Sequence, residues 1–257
     1  MKIATYNANS IRSRMGIVLK WLHEHKPDVL CLQETKVTDD LFPRIEFESA
    51  GYKCAFKGQK SYNGVAILSR HDMEQVQFGL GDGEPADDAR LLKAQILGIN
   101  VVTTYVPQGY LASDPKFAFK LAWFKRLRAW FENNFKPADP VVWTGDLNVA
   151  LEDIDVHDPQ RLRNHVCFHP DAKAALQSVI QWGFTDLLRM HHKEASQYTF
   201  WDYRYPKWIK KDVGWRLDYI LATKPLAKKC VSCEIDRAPR LAPTPSDHTF
   251  VTAEFGK

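Results

Sequence analysis

The sequence predicts one α/β domain. Three observations support that reading. Apolar segments of strand length alternate with helix-period segments early in the chain, the C-terminal third is mostly strands and loops, and no linker, repeat or low-complexity stretch divides the 257 residues.

In order, Lys2 to Tyr6 is a short apolar strand running into Asn7-Ala-Asn9-Ser10. A helix follows, with Met15, Val18, Leu19 and Leu22 at i, i+3, i+4 and i+7, closed by Pro27-Asp28. Val29 to Leu32 is a buried strand that ends in Gln33-Glu34-Thr35-Lys36. Gly64 to Ser69 is another strand, and Gly79 to Asp88, rich in Gly and Asp, is a loop. Leu91–Ile96 and Ile99–Val106 read as a hairpin around Leu97-Gly98, although that pair is not among the strong turn formers. Tyr105 then leads to the turn Pro107-Gln108-Gly109. Lys116 to Phe135 is the longest helix, with Trp123, Phe124, Leu127, Trp130 and Phe131 on a wide apolar face. A further helix starts near Asp171 with Ala172, Ala175, Leu176 and Val179 inward and Gly183 as its stop. Leu217 to Leu221 and Phe250 to Phe255 are strands.

Composition narrows the classes. An apolar fraction of 45% with 26% charged residues is that of a soluble globular chain able to bury a large core, not of a disordered one. A net charge of +4, spread along the chain, permits a polyanionic partner without requiring one. No apolar run approaches the ~18 residues of a membrane span, and the N-terminus lacks a signal-peptide pattern. A cytoplasmic protein without membrane attachment is expected. Five cysteines without regular spacing argue against a disulfide framework. Cys230-Val-Ser-Cys233 lies in a β-like segment, where positions i and i+3 should face opposite ways. His165-Val-Cys167-Phe-His169 would align its side chains only if extended. Neither supplies four convergent zinc ligands, so packing is the expected role of both.

The stretch around which the chemistry gathers is Val141-Val-Trp-Thr-Gly145-Asp146-Leu-Asn148. Its apolar residues run straight into Gly-Asp-x-Asn, a buried strand ending in a tight polar loop. Gly145 permits a sharp turn or a close approach. Asp146 and Asn148 can then aim an acceptor and an amide at one volume, as a carboxylate that takes a proton from water requires. An Asx-turn is the plainer alternative. Other strands end the same way, at Asn7 and Asn9, Glu34, Asp218 and Asp247, with His248 spare. Brought together, such oxygen ligands suit Mg²⁺ rather than zinc. Ser246-Asp247-His248 is no serine-hydrolase triad, because adjacent residues cannot orient one another and no nucleophile elbow exists. Tyr198 to Arg216 interleaves aromatics with Arg204, Lys207, Lys210, Lys211 and Arg216, which suits phosphates and bases; inward-packed aromatics with solvated charges are the alternative.

Asn7-Ala-Asn9, Pro27-Asp…Gln33-Glu34-Thr-Lys36, Tyr105-x-Pro-Gln108-Gly, Gly145-Asp-Leu-Asn148, Trp215-Arg216-Leu217-Asp218-Tyr219 and Ser246-Asp247-His248 together resemble the signature of the exonuclease III family of AP endonucleases, in family order over nearly the whole chain. The resemblance implies a four-layer α/β sandwich, two packed β-sheets flanked by helices. It implies Mg²⁺-dependent cleavage of double-stranded DNA 5′ to an abasic site, leaving a 3′-hydroxyl and a 5′-deoxyribose phosphate, with 3′→5′ exonuclease and 3′-repair activity. Mn²⁺ should replace Mg²⁺, and a monomer is expected. By motif, Glu34 is the main metal ligand with Asn9 and Asp247 around the same ion. Asp146, helped by Asn148, activates water. His248, held by Asp218, donates to the scissile phosphate, and Tyr105 and Asn7 complete the clamp. Phe200, Trp215 and Leu217 match the pocket for a baseless sugar, and Arg216 and Gln108 are expected on the substrate. Ser10 departs from the usual Gly and Tyr6 from the usual Trp or Phe. Relatives with the same core hydrolyse sphingomyelin, inositol phosphates or poly(A), and a binding module without turnover is a further rival.

Overall fold

The computed structural model describes residues 1–83, 89–205 and 207–256. Among them, twelve strands form two six-stranded sheets. The first contains β1 (Lys2–Asn7), β2 (Val29–Gln33), β3 (Lys53–Lys57), β4 (Val65–Ser69), β11 (Cys230–Asp236) and β12 (Phe250–Phe255), ordered β11-β12-β1-β2-β4-β3. The second contains β5 (Glu74–Phe78), β6 (Leu91–Ile96), β7 (Ile99–Tyr105), β8 (Val141–Asp146), β9 (Phe184–Asp186) and β10 (Asp218–Thr223), ordered β5-β6-β7-β8-β10-β9. The helices are α1 (Ile11–His25), α2 (Arg44–Ser49), α3 (Pro115–Asn134), α4 (Pro159–Leu162), α5 (Pro170–Ile180), α6 (Leu187–His191) and α7 (Lys224–Ala227).

Three cores make the layers. Ile3, Val29 and Cys31 of the first sheet meet Val101, Val142 and Ile220 of the second. Alternate residues of the same strands, Ala4, Tyr6, Leu30 and Leu32, pack outward with Trp21 and Leu22 of α1 and Phe47 of α2. Beyond the second sheet, Trp143 and Leu221 meet Trp123, Leu127 and Phe131 of α3 and Leu176 of α5. The result is helix, sheet, sheet, helix, the four-layer sandwich that the resemblance implies. Strands buried on both faces have no polar face to alternate with, which is why β1, β2 and β8 read as continuous apolar runs.

Several expectations are corrected. The Cys230/Cys233 pair does not split between faces. A register shift between Cys230 and Ser232 inserts an extra residue, so both thiols are buried while Val231 is exposed. Residues 166–168 form turns, so the extended alignment of His165, Cys167 and His169 does not arise, Cys167 packs in the core as expected, and His169 caps α5 by accepting from the Asp171 amide. β5 is a short, mostly exposed edge strand whose two alternating apolar residues, Val76 and Phe78, are themselves exposed, so it carries little of the buried pattern that marks the other strands. Of the expected loop from Gly79 to Asp88, residues 84–88 lie outside the described residues. The hairpin of β6 and β7 is present, with Ile96 opposite Ile99. Both turn residues have positive φ, 50° at Leu97 and 77° at Gly98, the signature of the turn that matches strand twist. Leu97 therefore carries the strain that Asn or Asp would carry more easily.

Candidate active site

Strand register collects the polar ends. β7 runs parallel to β8 with Tyr105 beside Asp146, and β10 runs antiparallel to it with Asp218 on Asp146's other side. Gly145 makes this close pairing possible, since a Cβ there would lie 2.0 Å from the Thr104 carbonyl oxygen. From the first sheet come Asn7 at the end of β1, Glu34 just beyond β2, and Asp247 and His248 just before β12. Asn7 Nδ2 donates to Glu34 Oε1 and to Asp146 Oδ2, each at 2.8 Å. Ser246 acts as a brace: its hydroxyl donates to the Asn7 carbonyl at 2.8 Å and accepts from the His248 amide.

Both readings of Gly-Asp-x-Asn are realised at once. Asp146 Oδ1 accepts from the Asn148 amide at 2.9 Å, an Asx-turn. Its other oxygen, Oδ2, faces Asn7, the Asn148 Nδ2 at 3.2 Å and His248 Nε2 at 3.7 Å. His248 Nδ1 lies 2.8 Å from Asp218 Oδ2. Asn9, Glu34, Lys36 and Asn148 all have φ between 44° and 55°, a left-handed conformation that costs non-glycine residues energy. Such strain needs surrounding contacts to hold it.

The charges follow from burial and neighbours. Burial raises the Asp146 pKa well above the usual carboxylate range; His248 opposes this, and the Asp218 and Glu34 carboxylates add to it. For His248, burial disfavours the cation, but Asp218 and Asp146 outweigh it and raise the imidazole above its ordinary value. Burial would also raise Glu34, yet Lys36 and the Asn7 amide hold it below the usual range. Burial first, then Glu34 and Asp146, lift Tyr105 far above the phenol range, so its hydroxyl stays protonated.

Glu34, Asp146 and His248 offer one ligand atom each, all within 4.8 Å of one another. Hard oxygens dominate the donor set, and Asp218 Oδ1 is buried without a hydrogen-bond partner, so the site fits a divalent cation of the oxygen-seeking kind. Asn9 sits one step out, donating to Asp247 Oδ1 at 2.9 Å and accepting from Lys36 Nζ at 2.5 Å. The same ammonium is 2.7 Å from Glu34 Oε2.

This cluster lies in a cleft of about 960 Å³. Phe200, Trp215 and Leu217 line it, with Gln108 from the loop after β7. Phe200 and Trp215 pair through a two-way backbone bridge, and the Phe200 ring is 5.0 Å from the His248 ring. Arg216 is a correction. Its guanidinium is 1% exposed and bound to Asp155 at 2.7 Å and Asp186 at 2.6 Å, so it cannot touch a substrate. Neighbouring residues of an extended segment point oppositely, and with Trp215 and Leu217 toward the cleft, Arg216 must point into the protein. The basic aromatic stretch is likewise divided: Tyr198 and Trp201 are core, whereas Tyr203, Tyr205, Lys207 and Lys211 face solvent.

Residues 4–248 match the endonuclease/exonuclease/phosphatase family. The chain belongs to that family. Within it the chain is 31% identical to exodeoxyribonuclease III of Haemophilus influenzae, over 99% of this chain and 100% of the relative. It is similar to the structure of an AP endonuclease from Archaeoglobus fulgidus, with 50% identity, a TM-score of 0.98 and full coverage of both chains. A 3′ phosphatase from Neisseria bound to a product DNA hairpin shares 35% identity and a TM-score of 0.95, again over both whole chains. This member of the exonuclease III-like AP endonucleases is thus an enzyme, built on a family core in which an acidic cluster suits a metal.

Two polar residues of this endonuclease/exonuclease/phosphatase core escaped the sequence reading. Lys36 was seen only as part of a motif, and its contacts to Glu34 and Asn9 depend on a left-handed turn that the motif does not reveal. Lys120 is fully buried, although lysine is almost never so. A signal existed: Lys120 stands one turn before Phe124 and two turns before Leu127, on the apolar face of α3.

Proposed function

We propose that this enzyme hydrolyses the DNA backbone 5′ to an abasic site with Mg²⁺ bound, leaving a 3′-hydroxyl and a 5′-deoxyribose phosphate, and that it also processes 3′ ends. The observation that supports this reading most is the placement of the Asp146–His248–Asp218 cluster beside the apolar wall of Phe200, Trp215 and Leu217. A sugar without its base fits an apolar recess that an intact nucleotide would overfill. The named activities of the relatives, on abasic DNA and on 3′ phosphate ends, point the same way. The double-stranded duplex would lie against Tyr203, Tyr205, Lys207 and Lys211 on the rim. No helix among the described residues is long and apolar enough to cross a membrane. A cytoplasmic monomer remains our expectation.

In this reading Asp146 takes the proton of the attacking water. Its raised pKa makes it a stronger base than an ordinary carboxylate, and Asn148 and Asn7 hold its orientation. His248, kept cationic by Asp218, donates to a phosphate oxygen as charge builds there, and the neutral Tyr105 hydroxyl is a second donor. Glu34 would hold the ion, with Asn9 and Asp247 near it, directly or through water; bound there, Mg²⁺ or Mn²⁺ supplies further charge stabilisation to the phosphate. The test is a time course on end-labelled duplex carrying one abasic analogue, with and without EDTA, beside intact duplex, a 3′-phosphate duplex, sphingomyelin and an inositol phosphate. Cleavage confined to a lipid or an inositol phosphate would overturn the assignment.

A further inference from the structure

Lys120 Nζ lies 2.7 Å from the carbonyl oxygen of Asn148, 2.8 Å from that of Val166 and 3.1 Å from that of Gln108. Three acceptors require three N–H donors, and only the ammonium form has them, so the buried side chain is charged. Burial pulls its pKa down, and the nearby Cys167 and Asp146 side chains oppose that shift. The three carbonyls belong to three separate loops, after β7, after β8 and before α5. Gly109, with φ of 102°, lets the first loop reach the lysine; a Cβ there would stand 3.2 Å from Phe117 and 3.4 Å from Lys120 Cδ. The second loop carries Asn148 in its left-handed conformation, its amide on Asp146 and on the Val106 carbonyl. The third carries Cys167, whose carbonyl accepts from the Ala150 amide at 2.7 Å.

We propose that Lys120 is a positioning residue for the reaction, pinning these three loops so that Asn148 is held against Asp146. It touches no substrate. It acts through Asn148, and the inference rests on the reading of Asp146 as the group that accepts the water proton. A cation buried on a helix is unfavourable unless every donor is satisfied, and here each bond also fixes a loop that borders the cleft.

The test compares Lys120→Met, which keeps length and loses every donor, with Asn148→Ala and the double variant, on whichever duplex the wild type turns over. We expect Lys120→Met to lower kcat about 10- to 100-fold with KM within three-fold, since misplacement of catalytic groups by ~1 Å costs on that order. The double variant should be less than three-fold worse than Asn148→Ala, because the two act as one unit. Hydrogen exchange gives a readout independent of turnover: the Ala150 amide should exchange at least ten-fold faster in Lys120→Met, while β1 and β2 amides stay as in the wild type. Lys120→Arg, which keeps charge and donors, should recover part of both losses, and it carries the comparison should the Met variant be unfolded at assay temperature. Multiplicative losses in the double variant, a loss of kcat that only follows the folded fraction, or unchanged exchange at Ala150 would each overturn the proposal. Activity retained by Asp146→Asn would instead overturn the assignment of the base, with the exchange result still standing.

Discussion

Asn7, at the end of β1, and Asp146, at the end of β8, are joined by a 2.8 Å hydrogen bond that crosses from one sheet to the other. Because Asn7 donates its second amide hydrogen to Glu34, the proposed base and the candidate metal ligand are held by one amide. Asp146→Asn would replace an acceptor of this amide by a group that cannot take a proton. We expect turnover to fall by ~10²–10⁴-fold, the usual contribution of a general base. Binding to abasic duplex, measured by anisotropy, should stay near that of the wild type. Residual turnover within a few-fold of the wild type would assign the proton to another group.

Glu34→Ala removes an anionic oxygen from a hydrated, weak ion site. The Mg²⁺ concentration for half-maximal activity should rise at least ten-fold, and Mn²⁺ should restore more activity than Mg²⁺ does. EDTA should silence the wild type. If the metal titration of the variant overlays that of the wild type, Glu34 is a brace for Asn7 and Lys36 rather than a ligand.

His248 and Asp218 should behave as one unit. Their side chains lie 2.8 Å apart, and the Asp218 charge is the main influence raising the imidazole pKa against burial. In the proposed mechanism the protonated form donates, so activity should be lost as pH rises through the His248 pKa; a raised pKa places that limb above the ordinary imidazole range. Asp218→Asn removes the raising influence, so the alkaline limb should move to lower pH. If the ionised form of Asp146 accepts the proton, as proposed, the acid limb should report it and lie above the ordinary carboxylate range in the wild type. Measured pH–kcat profiles check both limbs. His248→Ala should cost more than Asp218→Asn, and the double variant should be little worse than His248→Ala.

Trp215→Ala tests selectivity. The indole is 6% exposed and 4.7 Å from the His165 ring, so it is both a wall of the cleft and part of its support. Truncating a buried contact of this size costs ~2–4 kcal/mol of binding. Cleavage at an abasic site should therefore fall more than exonuclease activity on an ordinary 3′ end. Both assays must share one salt concentration, because phosphate contacts make rates salt-dependent. Equal losses would place the sugar recess elsewhere, and Phe200→Ala would then be the next variant to assay.

Ser10→Gly is a prediction about stability. Ser10 has φ of 91° and ψ of 104°, a conformation open mainly to glycine, and its side chain caps no backbone amide of α1, meeting only the exposed Ser13 hydroxyl at 3.3 Å. Strained residues of this kind cost ~1–3 kcal/mol. Glycine should raise the melting temperature despite its greater freedom when unfolded. A lower melting temperature would show that the serine is tolerated without strain.

What the residues announce by themselves is local. Gly145-Asp146-x-Asn148 at the end of an apolar run, Glu34 after Val29–Leu32, and the helix period of α1 and α3 each depend on neighbours within a few positions, so the strand ends and their chemistry were legible. The layer count came from the resemblance, and the three cores show its physical basis in strands buried on both faces. Long-range packing decided the rest. Asp146 stands between Tyr105 and Asp218 because of strand register, which 41 residues on one side and 72 on the other do not encode locally. Arg216 turns inward because Asp155 and Asp186 wait there, 61 and 30 residues away. The Cys230 bulge and the burial of Lys120 are of the same kind. Arg216 and Lys120 are stable in the interior because distant carboxylates and carbonyls accept from them, and those groups are brought into reach by the fold alone.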